Sequence, residues 1–167
     1  MYQIGDQVVY GVHGVCRVAD LEKQIVSKKT VTYMVLEPVG QEGARYLVPM
    51  HNEAAMSKLR PMLTPQEMEA LLQSREVRTD NWIREENIRK QTYRELISSG
   101  DRAELMRMVY TLYNHKNAQL AAGKKLHLAD DNFLRDAEKL LACEISVVLG
   151  MTTEDARAYL RRQLKME

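Results

Sequence analysis

The chain reads as an α+β protein: a small N-terminal antiparallel β-barrel over residues 1–62, followed by an all-α C-terminal domain of about five helices over residues 63–167. Three observations carry that reading. Apolar residues recur at strand-like periods through roughly the first 60 positions, and at helical spacing after Thr64. Glycine turns punctuate the first part at close intervals, whereas few glycines or prolines interrupt the second. A hydrophobic share of 45% over 167 residues is ordinary for globular proteins and suffices for one domain or two small ones.

The strands come in order. Gln7-Val8-Val9-Tyr10 is β-rich and stops at Gly11-Val12-His13-Gly14, a turn with a glycine at each end. Residues 15–21 alternate apolar and polar side chains. Val31-Thr32-Tyr33-Met34-Val35-Leu36 begins after Ser27-Lys28-Lys29 and ends at Pro38, and Arg45-Tyr46-Leu47-Val48-Pro49 follows Gly40-Gln41-Glu42-Gly43. Met56-Ser57-Lys58-Leu59-Arg60 supplies a short last strand before Pro61. Short strands joined by tight turns suit a closed or nearly closed small barrel. So small a module has little core of its own, so it is expected to lean on the helical half or on a partner that covers an edge strand.

The helices are punctuated by their caps. Thr64-Pro65-Gln66-Glu67 combines a capping hydroxyl, a proline at the first helical position and a glutamate three residues after the cap, which predicts a helix to about Ser74 with Met68, Leu71 and Leu72 inward. A second helix is expected from Asp80 or Asn81 to just before Gly100. Asp101-Arg102-Ala103-Glu104 opens a third, with Leu105, Met108, Val109 and Leu112 on its apolar face. Gly123-Lys124-Lys125 is a loop. A fourth helix covers about 129–149 with Gly150 as its stop, and Thr152 or Thr153 caps a fifth carrying Ala156, Tyr159, Leu160 and Leu164.

Several function classes fall away. With 24 Lys+Arg against 23 Asp+Glu, the formal charge of +1 leaves no overall basic or acidic field, so any electrostatic function is local. Cys16 and Cys143 stand far apart with no CxxC or histidine at ligand spacing, which suits ordinary thiols in a reducing cytosol. No apolar run nears the roughly 20 residues that span a bilayer, and the N-terminus lacks a basic-then-apolar leader, so a cytoplasmic, non-membrane protein is expected. No catalytic constellation assembles: Gly123-Lys124-Lys125 lacks the earlier glycine and later hydroxyl of a phosphate loop. His13, His51, His115 and His127 are scattered and read as turn or surface histidines. Asp130-Asp131 suits a helix start better than a metal. No enzyme, cofactor or metal is expected.

The local charge is more informative. Between Arg75 and Lys125 there are eleven basic and seven acidic residues. Arg78 precedes the second helix, and Arg89, Lys90 and Arg94 fall within about one and a half turns of it, either as a phosphate-contacting stripe or as a solvated face paired Glu85 to Arg89 and Glu86 to Lys90. Trp82, the only tryptophan, lies in Thr79-Asp80-Asn81-Trp82-Ile83-Arg84 at a polar helix entry. It either staples the helix to the core or stands exposed beside arginines as a wedge against nucleobases or a hot spot for a partner.

The order and spacing of Ile4-Gly5-Asp6-Gln7-Val8-Val9-Tyr10, His13-Gly14-Val15, Tyr33-Met34-Val35-Leu36, Leu47-Val48-Pro49 with Asn52, Asn81-Trp82-Ile83-Arg84, Ser99-Gly100-Asp101 and Ala142-Cys143-Glu144 resemble the CarD/CdnL family of bacterial transcription regulators. That family's N-terminal module is shared with transcription-repair coupling factors. The resemblance implies a Tudor/SH3-like barrel that binds the lobe of the RNA polymerase β subunit through an exposed strand edge, with Lys23, Gln24, Val26, Arg45 and Leu47 at the contacting positions. It implies a helical domain that meets promoter DNA at the upstream edge of the transcription bubble. There Trp82 would enter the minor groove, with Arg84 on phosphate and Arg89, Lys90 and Arg78 as basic neighbours. Asn87 stands where some relatives have a lysine. The function implied is a monomeric, non-enzymatic regulator that tethers to polymerase and stabilises the promoter open complex through weak, largely sequence-independent DNA contacts. The alternative is an adaptor whose barrel recruits another factor, with no DNA role and with Trp82 buried.

Overall fold

The computed structural model describes residues 2–165, which form two compact units divided between Met62 and Leu63. The first is one antiparallel sheet. β1 (Gln7–Tyr10), β2 (Val15–Val26), β3 (Lys29–Pro38), β4 (Tyr46–Pro49) and β5 (Leu59–Pro61) stand in the order β4-β3-β2-β1-β5, and a one-turn helix α1 (Glu53–Met56) separates β4 from β5 in the chain. Gly14 ends the turn after β1 at φ 72° and ψ −149°, a conformation essentially reserved for glycine. Val8, Cys16, Val18, Met34, Leu36 and Val48 form the fully buried core of the sheet.

The sheet does not close into a barrel: β4 and β5 are its two edges and do not pair. The chain between them turns into α1 instead, capped by Asn52, whose Oδ1 accepts from the Ala55 N–H at 3.1 Å. Met50, Ala55 and Met56 from this segment pack on the core, so side chains serve there in place of backbone pairing. Met56, expected to open the last strand, is thus the last residue of α1, and β5 begins at Leu59.

A bulge at Ala19 shifts the β2–β3 register between Val18↔Leu36 and Asp20↔Val35. Past β4's pairing at Tyr33↔Pro49, the two strands run on together through Val26↔Lys29 as a two-stranded ribbon. Ser27 and Lys28 close the ribbon with φ of 50° and 66°, the signs a tight type I′ hairpin turn demands.

The second unit is all-α: α2 (Pro65–Gln73), α3 (Glu86–Ser99), α4 (Arg102–Ala121), α5 (Leu128–Leu149) and α6 (Thr153–Lys165). Thr64 and Glu67 make the predicted reciprocal cap of α2: Thr64 Oγ1 accepts from the Glu67 N–H at 3.1 Å, and Glu67 Oε1 accepts from the Thr64 N–H at 3.0 Å. Gly100 and Gly150 end α3 and α5 in the left-handed conformation. Met68 and Leu72 of α2, Val77 of the following 3-10 turn, Met106 and Leu112 of α4, Ile145 of α5 and Leu160 of α6 are fully buried in one core. Arg102–Glu144 at 2.7 Å and Arg161–Glu138 at 2.9 Å tie helices together beside it.

The start of α3 departs from expectation. It begins at Glu86 rather than near Asp80, because the intervening N–H groups have other partners. The Trp82 N–H donates to Asp80 Oδ1 at 3.2 Å and the Asn81 N–H to Thr111 Oγ1 at 2.9 Å. Glu85 becomes the cap, accepting from the N–H groups of Asn87 and Ile88 at 3.2 and 2.7 Å. Trp82 and Arg84 therefore lie on an extended segment ahead of a helix, not on one.

Candidate nucleic-acid and partner interfaces

Residues 79–84 are strapped to one face of α4. Thr111, Asn114 and His115, spaced i, i+3, i+4 and so neighbours on that helix, each hold a different part of the segment. Thr111 Oγ1 takes the Asn81 N–H, Asn114 Nδ2 donates to Asp80 Oδ2 at 3.2 Å, and the His115 ring stacks on Trp82 at 3.5 Å between centroids and 11° between planes. A ring at that distance fills the face it covers. The Arg89 guanidinium also lies over the indole, its carbon 4.4 Å from the ring centroid. Trp82 is half-buried and packs against the helical core, leaving part of the ring to solvent.

Arg89 is itself fixed from behind. Its Nε and Nη2 donate to the two carboxylate oxygens of Asp130, each at 2.9 Å, and Nη1 donates to the Ile83 carbonyl at 3.0 Å. The pair is dry, with side chains 5% and 1% exposed. The expected solvated pairing of Arg89 with Glu85 is therefore absent, and so is a free Arg89 available to phosphate: the residue faces inward because a carboxylate 41 positions away neutralises it. Asp130 serves that pair, and Asp131 pairs with Lys116 at 3.2 Å and Arg135 at 3.1 Å.

Arg78 is likewise committed. Its Nη1 donates to the Gln73 carbonyl at 2.7 Å and its Nη2 to the Gln163 carbonyl at 2.9 Å, which satisfies the last turns of α2 and α6. Lys90 is paired with Glu86 at 3.0 Å, i to i+4, in a partly exposed bridge that water and salt weaken. The Arg84 side chain is exposed and, among the described residues, its guanidinium has no ion-pair partner. Of the five residues assigned to DNA from the sequence, Trp82, Arg84 and Lys90 reach the surface, whereas Arg89 and Arg78 are bonded into the framework.

His115 was expected at a turn or on the surface. It is half-buried in mid-helix, and burial holds its imidazole below the ordinary value, with Arg89 acting the same way against Asp130. The Gln119 side-chain amide lies 3.3 Å from His115 Nε2, within hydrogen-bond reach of the ring. Thr111, Asn114 and His115 carried no signal of a site by themselves. Their only sequence trace is three polar residues at i, i+3, i+4 spacing in a helix that carries other polar residues as well.

In the sheet, cross-strand partners share a face. Gln24↔Val31, Asp20↔Val35 and Val35↔Leu47 put Gln24, Val26 and Leu47 on one face, whereas Lys23, paired with Thr32, is on the other. Val26 and Leu47 are 44% and 47% exposed, so this surface is more apolar than its sequence suggested. Arg45 stands exposed immediately before β4. The outer side of β4 is an unpaired edge, and it continues along β3 at residues 29–31, beyond β4's reach.

Residues 2–60 match the family model described as the CarD-like/TRCF RID domain, and residues 67–161 match that of the CarD C-terminal domain. No individual curated protein matches the chain.

Proposed function

The chain belongs to the CarD family of RNA polymerase-interacting transcription factors, and from that membership we propose that it tethers to the polymerase β subunit and stabilises the promoter open complex by contacting DNA at the upstream edge of the bubble. The β unit is the tether. Its open β4 edge, with Leu47 and Arg45 beside it, is the kind of edge a partner strand completes, backbone bonds giving affinity and the exposed apolar side chains specificity. Lys23, Gln24 and Val26 extend the contact along the ribbon.

The helical unit is the DNA reader. The observation that carries the reading is Trp82: a large, partly exposed ring held by His115 and Arg89, on an irregular segment next to Arg84, which among the described residues has no ion-pair partner. Such a ring wedges into a minor groove, while Arg84 and Lys90 meet phosphates. A ligand shifts an equilibrium only by its differential affinity, so the ring must bind the melted junction better than closed duplex. Each ~1.4 kcal/mol of such differential contact changes open-complex lifetime about tenfold.

The test is Trp82→Ala in a promoter-opening assay with polymerase from the same bacterium. Polymerase affinity should persist while open-complex lifetime drops toward that of polymerase alone. An unchanged lifetime with intact polymerase binding would leave the adaptor reading in its place.

A further inference from the structure

We infer that Thr111, Asn114 and His115 on α4 are positioning residues for the DNA contact: they fix the plane of Trp82 so that the ring meets the promoter already oriented. This rests on the reading of Trp82 given above and deepens it. The observations are independent of one another. Thr111 is 1% exposed, yet its hydroxyl is spent on the Asn81 N–H rather than only on its own helix. His115 is nearly parallel to the indole at contact distance, a geometry that a loosely packed surface histidine has no reason to adopt. Asn114 is bonded to the same Asp80 carboxylate that receives the Trp82 N–H, so the α4 face grips the segment immediately ahead of the tryptophan.

The alternative action of the same contacts is a latch that stores Trp82 until DNA pulls it free. The two differ in sign. If His115 orients the ring, removing it adds the entropy of a freed aromatic side chain to the cost of binding, and stabilisation falls. If His115 sequesters the ring, removing it raises stabilisation. The geometry favours orientation, because Trp82 is already partly exposed while His115 and Arg89 hold it.

The experiment compares Trp82→Ala, His115→Ala, His115→Phe and Thr111→Val in the full-length chain, using open-complex lifetime and the fluorescence of Trp82, the only tryptophan present. His115→Ala should raise acrylamide quenching of Trp82 and shorten the lifetime by about 2- to 10-fold while leaving polymerase affinity unchanged. His115→Phe, which keeps a flat ring at the same place, should restore both readouts. Thr111→Val should move both in the direction of His115→Ala. A merely structural role would not give rescue by Phe at unchanged thermal stability. A lengthened lifetime in His115→Ala overturns the proposal in favour of the latch, and an unchanged one beside a strong Trp82→Ala defect overturns it outright. No defect in Trp82→Ala itself removes the DNA reading and this proposal together.

Discussion

Asp130→Ala tests how the tryptophan segment is built. The carboxylate and the Arg89 guanidinium are joined by two hydrogen bonds of 2.9 Å, with side chains only 1% and 5% exposed. Without the carboxylate, the guanidinium stays inside with the Ile83 carbonyl at 3.0 Å and the Trp82 face at 4.4 Å as its near partners, neither of which carries a neutralising charge. An uncompensated buried charge of this kind costs about 3–5 kcal/mol. Asp130 also lies in the first turn of α5, where losing a negative charge adds about 0.3–1 kcal/mol. With a urea dependence of about 1–3 kcal/mol per molar, the midpoint should fall by about 2 M, read by the fluorescence of Trp82 in the same unit. The control is Arg89→Met with Asp130→Leu, which removes both charges and should recover most of the loss, since buried pairs contribute little net stability over apolar replacements. A single-variant loss below about 1 kcal/mol, or a double variant no better than the single, would refute the reasoning.

Three further outcomes follow from the same geometry. Arg84→Ala should reduce the slope of log affinity against log salt by about 0.9 for promoter DNA, whereas Arg78→Met should leave that slope alone and lower stability by about 1–3 kcal/mol through two orphaned helix-end carbonyls; the reverse pattern would exchange their roles. Burial holds His13 and His115 below 6.5, aided by Lys58 at the first and Arg89 at the second. The unfolded chain then binds more protons than the folded one at mildly acidic pH. Stability should be complete above about pH 6.5 and fall as pH drops from there toward the folded values, and phenylalanine at both positions should flatten that loss in urea midpoints taken at successive pH values. Finally, Leu47→Asp should raise the protein concentration needed for promoter opening without lowering the plateau, while Trp82→Ala lowers the plateau; a lowered plateau for Leu47→Asp would place that side chain in the DNA step.

What was legible in the sequence was what neighbouring residues decide. The Thr64-Pro65-Gln66-Glu67 cap and the Gly100 and Gly150 stops act through partners within a few positions, and the structure bears them out. Strands were readable from alternation, but closure was not. Whether β4 and β5 meet depends on how residues 50–58 turn, and alternation carries no information about that. Asp80 is a good helix cap by local rules, yet the start of α3 was set by Thr111, which lies 30 positions from the N–H of Asn81. The basic residues failed in the same way. Arg89 and Arg78 read as phosphate ligands until Asp130 and the Gln163 carbonyl, 41 and 85 positions distant, occupy them. Availability of a charge to a partner is a tertiary property, so a basic stripe in a sequence gives an upper bound on the groups left to bind.

That reduction bears on mechanism. With Arg89 buried against Asp130 and Arg78 bonded to two helix-end carbonyls, Arg84 and Lys90 are what the five assigned residues leave for phosphate, and an interface neutralising one or two phosphates has little affinity for DNA alone. Weakness is no defect in a factor that must distinguish melted from closed promoter, because uniform attraction to phosphate would bind both states alike and shift nothing. The division of labour then follows from the energetics. Under the proposed function, the β unit would supply proximity, converting a weak contact into an intramolecular one, and the helical unit would supply difference, through a ring oriented before DNA arrives. Spending Arg89 on holding that ring is consistent with this arrangement: a guanidinium that orients Trp82 acts on the difference between the two states, whereas the same group on a phosphate would act on their sum.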